Sequence, residues 1–512
     1  MMVVDFLGPI LGGILLAAPF LYPPLFLTAW VALLPLLWVL RRSTSPKRAF
    51  LSGWIMGTAT NLVGFYWLGY TISVFGGYSS GVSGLIFLLF ALYSGIPLAF
   101  FSLLVGRYGP GSLSLFPPLL WVAIEYWFPL LFPWHLANSQ SYVLSLIQSA
   151  DLVGPYGMSF LLVWVNTALF RIAGAYHSRK GDWRVAFWEA LIAGAALVGF
   201  LLYGQLRLGV ISAGISAAPS LSLAAVQGNI SIRHKEKIAY LESNLDSYKR
   251  LTREARGVNL VIWPESAVET WIPENIRQIP PELLPEGLPS TSFFLVFGVR
   301  SFRRDPTTPN LVAFNSAFLV DGRGRVLSRY HKQVLLAFGE YIPFWRVLSK
   351  LPGLPPIGEG FTPGDGPRTL NSSPKVKLAP LICYEDLMPW LSRRFVAESK
   401  ANLLVNLTND AWFGNTAAPW QHARLAAWRA VETRRTLVRA TNTGLTTVIN
   451  PRGEILATLP TFSSGVLTAQ VPLMEGQTLY VRFGDWFAWM CTLVSLGILF
   501  GTAARQTLGG GH

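Results

Sequence analysis

The sequence predicts a polytopic α-helical membrane domain of about eight spans joined to an α/β domain. Three observations predict it. The 512-residue chain is 52% hydrophobic and only 13% charged, against roughly 25% charged in soluble domains. Its apolar residues gather into eight runs near the length of a span, which takes roughly 20 residues. Between the seventh and eighth runs, residues 206–484 change texture, to short apolar strands separated by Gly, Pro and Asn turns.

The runs lie at about 7–21, 23–40, 50–74, 83–106, 113–131, 157–176, 187–205 and 485–503. Residues 1–205 are therefore expected to hold seven spans, and 485–512 an eighth with a short cytoplasmic tail. The first run is short and the Pro23-Pro24 break is tight, so the first two runs read as a helical hairpin. No separate small-residue cleavage site follows the first run, which reads as a retained span rather than a signal peptide. A net charge of +14 would suggest nucleic acid in a soluble protein. Here the basic residues sit in short loops, and no nucleic-acid-binding motif accompanies them. Arg41, Arg42, Lys47 and Arg48 follow the second run, Arg107 the fourth, and Arg171, Arg179, Lys180 and Arg184 the sixth, whereas 75–82 and 132–156 carry no Lys or Arg. The positive-inside rule puts those basic loops and the N-terminus in the cytoplasm. Segment 206–484 then faces the periplasm of a double-membrane bacterium.

Within that segment the candidate strands are Leu221–Gln227, Leu260–Trp263, Phe293–Val299, Ser316–Val320, Leu378–Ile382, Leu403–Leu407, Leu437–Ala440 and Leu467–Val471. Helical patterns fall near 236–256, 389–399 and 419–435. This is one α/β domain large enough for its own core.

Three strand ends deliver reactive groups: Glu265 in Trp263-Pro264-Glu265, Lys332 after Tyr330-His331, and Cys383 after Leu381-Ile382. A thiol nucleophile needs a base for its proton and a cation or donors for the oxyanion of a tetrahedral intermediate. Glu265, Lys332 and Cys383 supply these parts, with Glu340 and Glu385 as nearby acids. A low-pKa thiol suits acyl transfer through a thioester. Each residue alone also has a structural reading, as a turn Glu, a surface Lys or a filler Cys; their order at three strand ends carries the case. The other cysteine, Cys491, lies in an apolar run, so both are expected to be free thiols. His331 and His422 read as structural hydrogen-bonders, and no metal cluster, phosphate loop or nucleotide fingerprint appears, so no metal or cofactor is expected.

The order Glu265, Lys332, Cys383 in the contexts WPES, HKQVLLAFGEYIP and CYED resembles the nitrilase (carbon–nitrogen hydrolase) superfamily. Together with the spans, VQGNI at 226–230, NLTNDAWFG at 406–414, PWQH at 419–422 and RATNTG at 439–444 resemble the bacterial apolipoprotein N-acyltransferases, as do Glu125, Phe132-Pro133-Trp134 and Gln148 to Asn166. The resemblance implies a nitrilase-like αββα sandwich and a two-step transfer. Cys383 would take an acyl chain from a membrane phospholipid and pass it to the α-amine of diacylglyceryl-cysteine in an apolipoprotein. It implies Glu265 as base and acid, Lys332 as oxyanion stabiliser, and Glu340, Tyr384 and Glu385 as accessory residues. One departure is visible: the family's tryptophan soon after VQGNI is missing from Ile232–Lys237. A membrane-tethered amidase with water as acceptor is the alternative, and a transporter or scaffold with an inert domain a weaker one. Against transport, Glu125 reads as almost the only charge in the spans. Finally, Leu335–Pro363 is rich in aromatic and Leu residues without a clear period. It reads as a membrane-contacting access loop carrying Phe344 and Trp345.

Overall fold

The computed structural model describes residues 2–42, 45–108, 115–178, 183–235, 237–286, 293–305, 310–342 and 360–509. They form two compact units. One comprises residues 1–72, 78–208 and 483–512, the other 73–77 and 209–482.

The first unit is helical, and each expected apolar run becomes a helix or a broken pair of helices. The run at 50–74 splits into Pro46–Gly64 and Leu68–Gly76, and the run at 83–106 into Ser80–Ser94 and Ile96–Tyr108. The second split falls at Gly95, where a β-carbon would meet Thr58 N at 2.7 Å, so close helix approach requires the glycine. Helices long and apolar enough to cross a membrane are Pro23–Arg42, Ser80–Tyr108, Tyr156–Tyr176 and Trp183–Ala217, with shorter apolar helices at Phe6–Leu21, Leu144–Val153 and Trp486–Thr502. Among the described residues, four segments are thus long and apolar enough to cross a membrane, two of them with an internal break, and the other expected runs fall short of that length or apolarity.

Irregular backbone inside an apolar medium must find its hydrogen bonds within the protein. Pro23–Trp30 is a 3-10 stretch, and buried amides repair it. Asn166 accepts from Leu33 N at 2.9 Å and donates to Ala29 O at 3.0 Å. Gln140 accepts from the Trp30 indole at 2.9 Å and donates to Phe26 O at 3.1 Å. The expectation that Glu125 is nearly the sole charge here is corrected: Arg171 pairs with Glu189 at 2.5 Å and Arg207 with Asp151 at 2.7 Å. Glu189 and Arg207 share the helix Trp183–Ala217, whose 35 residues run past the expected boundary at 205.

The second unit contains two sheets. The first holds β1 (Ser220–Gln227), β2 (Leu260–Ile262), β3 (Val268–Pro273), β4 (Phe294–Arg304), β5 (Leu311–Asp321) and β6 (Val326–His331), closed at its far edge by a later strand. The second holds β7 (Leu370–Ser373), β8 (Val376–Ile382), β9 (Leu403–Thr408), β10 (Thr436–Thr441), β11 (Thr447–Ile449) and β12 (Ile455–Thr458). Strand β13 (Gly465–Pro472) returns to the first sheet. The orders are β13-β1-β2-β4-β5-β6, with β3 on β4, and β12-β11-β10-β9-β8-β7. Alternation along β1 shows the layering. Leu223 and Ala225 join a core shared with Leu381, Leu403 and Val405 of the other sheet, while Ala224 and Val226 join Tyr248 and Leu251 of the helix Leu241–Glu254. Helices Pro389–Ser399 and Ala418–Thr433 contribute Phe395 and Ala430 to the first of these cores. The result is the expected αββα sandwich. Strands β3, β7, β11 and β12 go beyond the sequence reading, as does the extent of β6, of which only the end before Lys332 is expected. They are short or carry polar and exposed positions, as in β3, where Thr270 and Trp271 are exposed.

Candidate active site

The three strand ends converge. Glu265 follows β2, Lys332 follows β6, and Cys383 opens a 3-10 turn, Cys383–Leu387, directly after β8. Lys332 Nζ lies 2.7 Å from Glu340 Oε2 and 3.8 Å from Glu265 Oε1. Asn315, on β5, bridges the two carboxylates, donating to Glu265 Oε1 at 2.7 Å and to Glu340 Oε1 at 2.8 Å. Lys332 Nζ also sits 5.4 Å from the centre of the Tyr384 ring, whose hydroxyl donates to Leu335 O at 2.7 Å. Glu385 is fully buried and accepts from Tyr330 Oη and from the backbone N–H groups of Gln333, Val334 and Ile382. It therefore ties the Cys383 turn to the chain leaving Lys332.

Cys383 has φ 55°, in the left-handed region. A β-carbon is disfavoured there by roughly 1–2 kcal/mol. The turn is held from outside: Asn406 Nδ2 donates to Cys383 O at 2.8 Å and to Leu381 O at 3.1 Å.

Electrostatics correct one expectation. Burial pushes the Cys383 thiol up, the Glu265 charge adds to this, and Lys332 only partly offsets it. The thiol is held protonated and needs a base at the moment of attack, in contrast to the low-pKa thiol expected from the sequence. Burial also raises Glu265; Lys332 opposes this, Glu340 reinforces it, and Asn315 and Lys235 oppose it. Burial opposes the charge on Lys332, but the carboxylates of Glu340 and Glu265 outweigh it and keep the ammonium charged. Burial raises Glu385 to about 7 despite Lys332 and its three backbone donors.

Sequence reasoning missed Asn315, Lys235 and a buried ionic group behind the cysteine turn. There His422 lies 2.9 Å from Asp386 and 3.1 Å from Asp410, while Arg439 bonds Asp386 and lies 3.7 Å from Asp410. All four are essentially sealed from solvent. His422 is thus a structural hydrogen-bonder, as is His331, which shares a 2.7 Å hydrogen bond with Ser316 and stacks on Phe314. Both cysteines are free thiols. Phe344 and Trp345 lie outside the described residues.

Residues 12–168 match the apolipoprotein N-acyltransferase N-terminal domain, and residues 222–479 match the carbon–nitrogen hydrolase family. The chain is 36% identical over 502 residues to the apolipoprotein N-acyltransferase of Geobacter metallireducens, covering 95% of this chain and 93% of that one. The chain belongs to the apolipoprotein N-acyltransferase family. Further members are those of Bdellovibrio bacteriovorus, at 30% identity over 98% of this chain and 94% of that one, and of Pseudomonas syringae, at 30% over 96% and 94%. As an N-acyltransferase family member it joins a carbon–nitrogen hydrolase domain to a helical unit, and the relatives match it across both. Lipoprotein N-acylation is the activity this membership supports.

Proposed function

We propose that this enzyme moves an acyl chain from a membrane phospholipid, through a thioester on Cys383, to the N-terminal α-amine of diacylglyceryl-cysteine in apolipoproteins. The observation that carries the reading is Lys332 Nζ held between Glu265 and Glu340 where β2, β6 and β8 end. In the first step Glu265 takes the thiol proton as Cys383 sulfur attacks the ester carbonyl. The oxyanion of the tetrahedral intermediate pairs with the Lys332 ammonium. The C–O bond then breaks, Glu265 gives its proton to the departing lysophospholipid oxygen, and a thioester remains. In the second step the α-amine attacks the thioester, Glu265 accepts the amine proton, and the C–S bond breaks as that proton returns to sulfur. Glu340 and Asn315 hold Lys332 and Glu265 in register; Tyr384 and Glu385 fix the cysteine turn. The enzyme works in the bacterial inner membrane with this site on the periplasmic face, which the Lys/Arg asymmetry of the loops supports.

Intact-mass analysis of the full-length protein with phospholipid tests this reading. An acyl-sized adduct that C383A lacks, and that a diacylglyceryl-cysteine peptide discharges, is expected. An adduct that water discharges equally fast without the peptide amine would favour an amidase instead.

A further inference from the structure

The stretch 232–237, where the family's tryptophan is missing, holds one buried side chain among its described residues, and it is a lysine. Lys235 is 6% exposed, and its Nζ donates to the backbone carbonyl of Glu265 at 3.1 Å. A lysine is almost never buried without a partner. The segment that carries it is fixed in place. Asn442 accepts from Ile230 N at 2.8 Å and donates to Ile230 O at 2.8 Å, and Lys235 N bonds Ser231 O at 3.0 Å.

The Glu265 turn needs such a partner. Pro264 O accepts from Ala267 N and Gly298 N, within the turn and from β4. Ser266, the next residue, has φ 49°, which is costly for a residue with a β-carbon. At Gly298 a β-carbon would lie 2.6 Å from Glu265 Cα, so the turn is pressed against β4. Glu265 itself is 8% exposed, and without Lys235 its carbonyl would lose a charge-assisted hydrogen bond in a dry site.

We propose that Lys235 is a positioning residue for the Glu265 base, capping the strained turn that presents it and supplying a second cation beside Lys332; this rests on the reading of Glu265 as base. The groups facing Glu265 are Lys332 at the end of β6, Glu340 beyond it, Asn315 on β5, Cys383 after β8 and Lys235. Within this set two carboxylates, Glu265 and Glu340, face two ammonium groups, Lys332 and Lys235. Removing Lys235 therefore leaves Lys332 as the one cation of the set and makes proton loss from Glu265 harder.

The test is the pH profile of single-turnover acylation of Cys383 in the full-length enzyme with phospholipid in detergent, followed by intact mass. In K235M the acid limb is expected to move up by about one pH unit, a tenfold loss on its acid side. K235R should restore it. K235Q keeps a donor for the carbonyl but no charge, so it should shift the limb while melting close to wild type, and it serves if K235M does not fold. A wild-type acid limb in K235Q would overturn the proposal, as would equal shifts in K235R and K235Q. E265Q separates the two readings. If E265Q acylates at the wild-type rate, Glu265 is not the base. If E265Q is inactive and K235Q keeps the wild-type limb, the base stands and Lys235 is only structural.

Discussion

Cys383 shows how a residue that disfavours a conformation is made to hold it. Its positive φ persists because Asn406, Glu385 and the end of β8 fix the turn from three sides. The result is a thiol presented where β2 and β6 also end, beside Glu265 and Lys332. C383A should abolish acyl-enzyme formation, and C383S should retain traces at most, since a hydroxyl is the poorer nucleophile; full transfer by C383A would end the assignment. C491A, in the last apolar helix, should transfer at the wild-type rate. K332A should slow acylation by about 10²–10³-fold, the usual loss for one oxyanion donor, measured by rapid-quench mass analysis. Glu265 and Cys383 were legible because each follows a short apolar run where a strand ends, and Lys332 through its context HKQVLLAFGEYIP. Asn315 was not. It lies inside a strand, AFNSA, where a polar residue shows in sequence only as an interruption, and its bridging role exists only once the strands of the first sheet are assembled.

At the scale of elements, the cysteine turn rests on charges buried behind it. Asp386 and Asp410 lie on either side of the His422 ring, Arg439 is their fixed cation, and all four are sealed from water. R439M should destabilise the catalytic domain by about 3–5 kcal/mol, because two acidic groups lose that cation in a dry interior. The readout is a large drop in melting temperature; a drop no larger than that of a surface Arg substitution would show that the quartet does not hold the turn. The motif residues around NDAWFG and PWQH were visible in the sequence, but not their purpose, because His422 and Asp386 are 36 residues apart and meet only when the helix Ala418–Thr433 packs on the turn. Glu385 gives a pH signature. Its folded-state value of about 7 lies above the ordinary carboxylate value of about 4.3. A group raised in this way stabilises the fold fully below about 4.3, and that contribution is lost as pH rises through about 7. The melting temperature should therefore fall between pH 5 and 8 more steeply in the wild type than in E385Q; identical slopes would refute the raised carboxyl.

At the scale of the whole chain, composition and run length made the division into a helical unit and an α/β unit legible, and the strand patterns made the α/β character of the second unit so. The spans were legible as apolar runs but not as helices of definite length, because breaks at 65–67 and at Gly95 depend on how neighbouring helices pack. The helix that begins at Trp183 continues to Ala217, about 52 Å at 1.5 Å per residue, well beyond the roughly 30 Å of a bilayer core. The second unit starts inside it, at Gly209. Orientation matters for the proposed chemistry, since that reading takes the acceptor amine from an exported lipoprotein and requires Cys383 to share its compartment. Arg41, Arg42, Lys47 and Arg48 in one loop, and Arg179, Lys180 and Arg184 in another, are the expected cytoplasmic anchors. An enzyme fused to a reporter that works only in the periplasm should be active when joined near residue 300 and silent near 45 or 180; a reporter that works only in the cytoplasm should give the opposite pattern. Reversal of both patterns would put Glu265, Lys332 and Cys383 on the wrong side of the membrane for an exported amine, and the acyl-transfer reading would fail however well their geometry suits it.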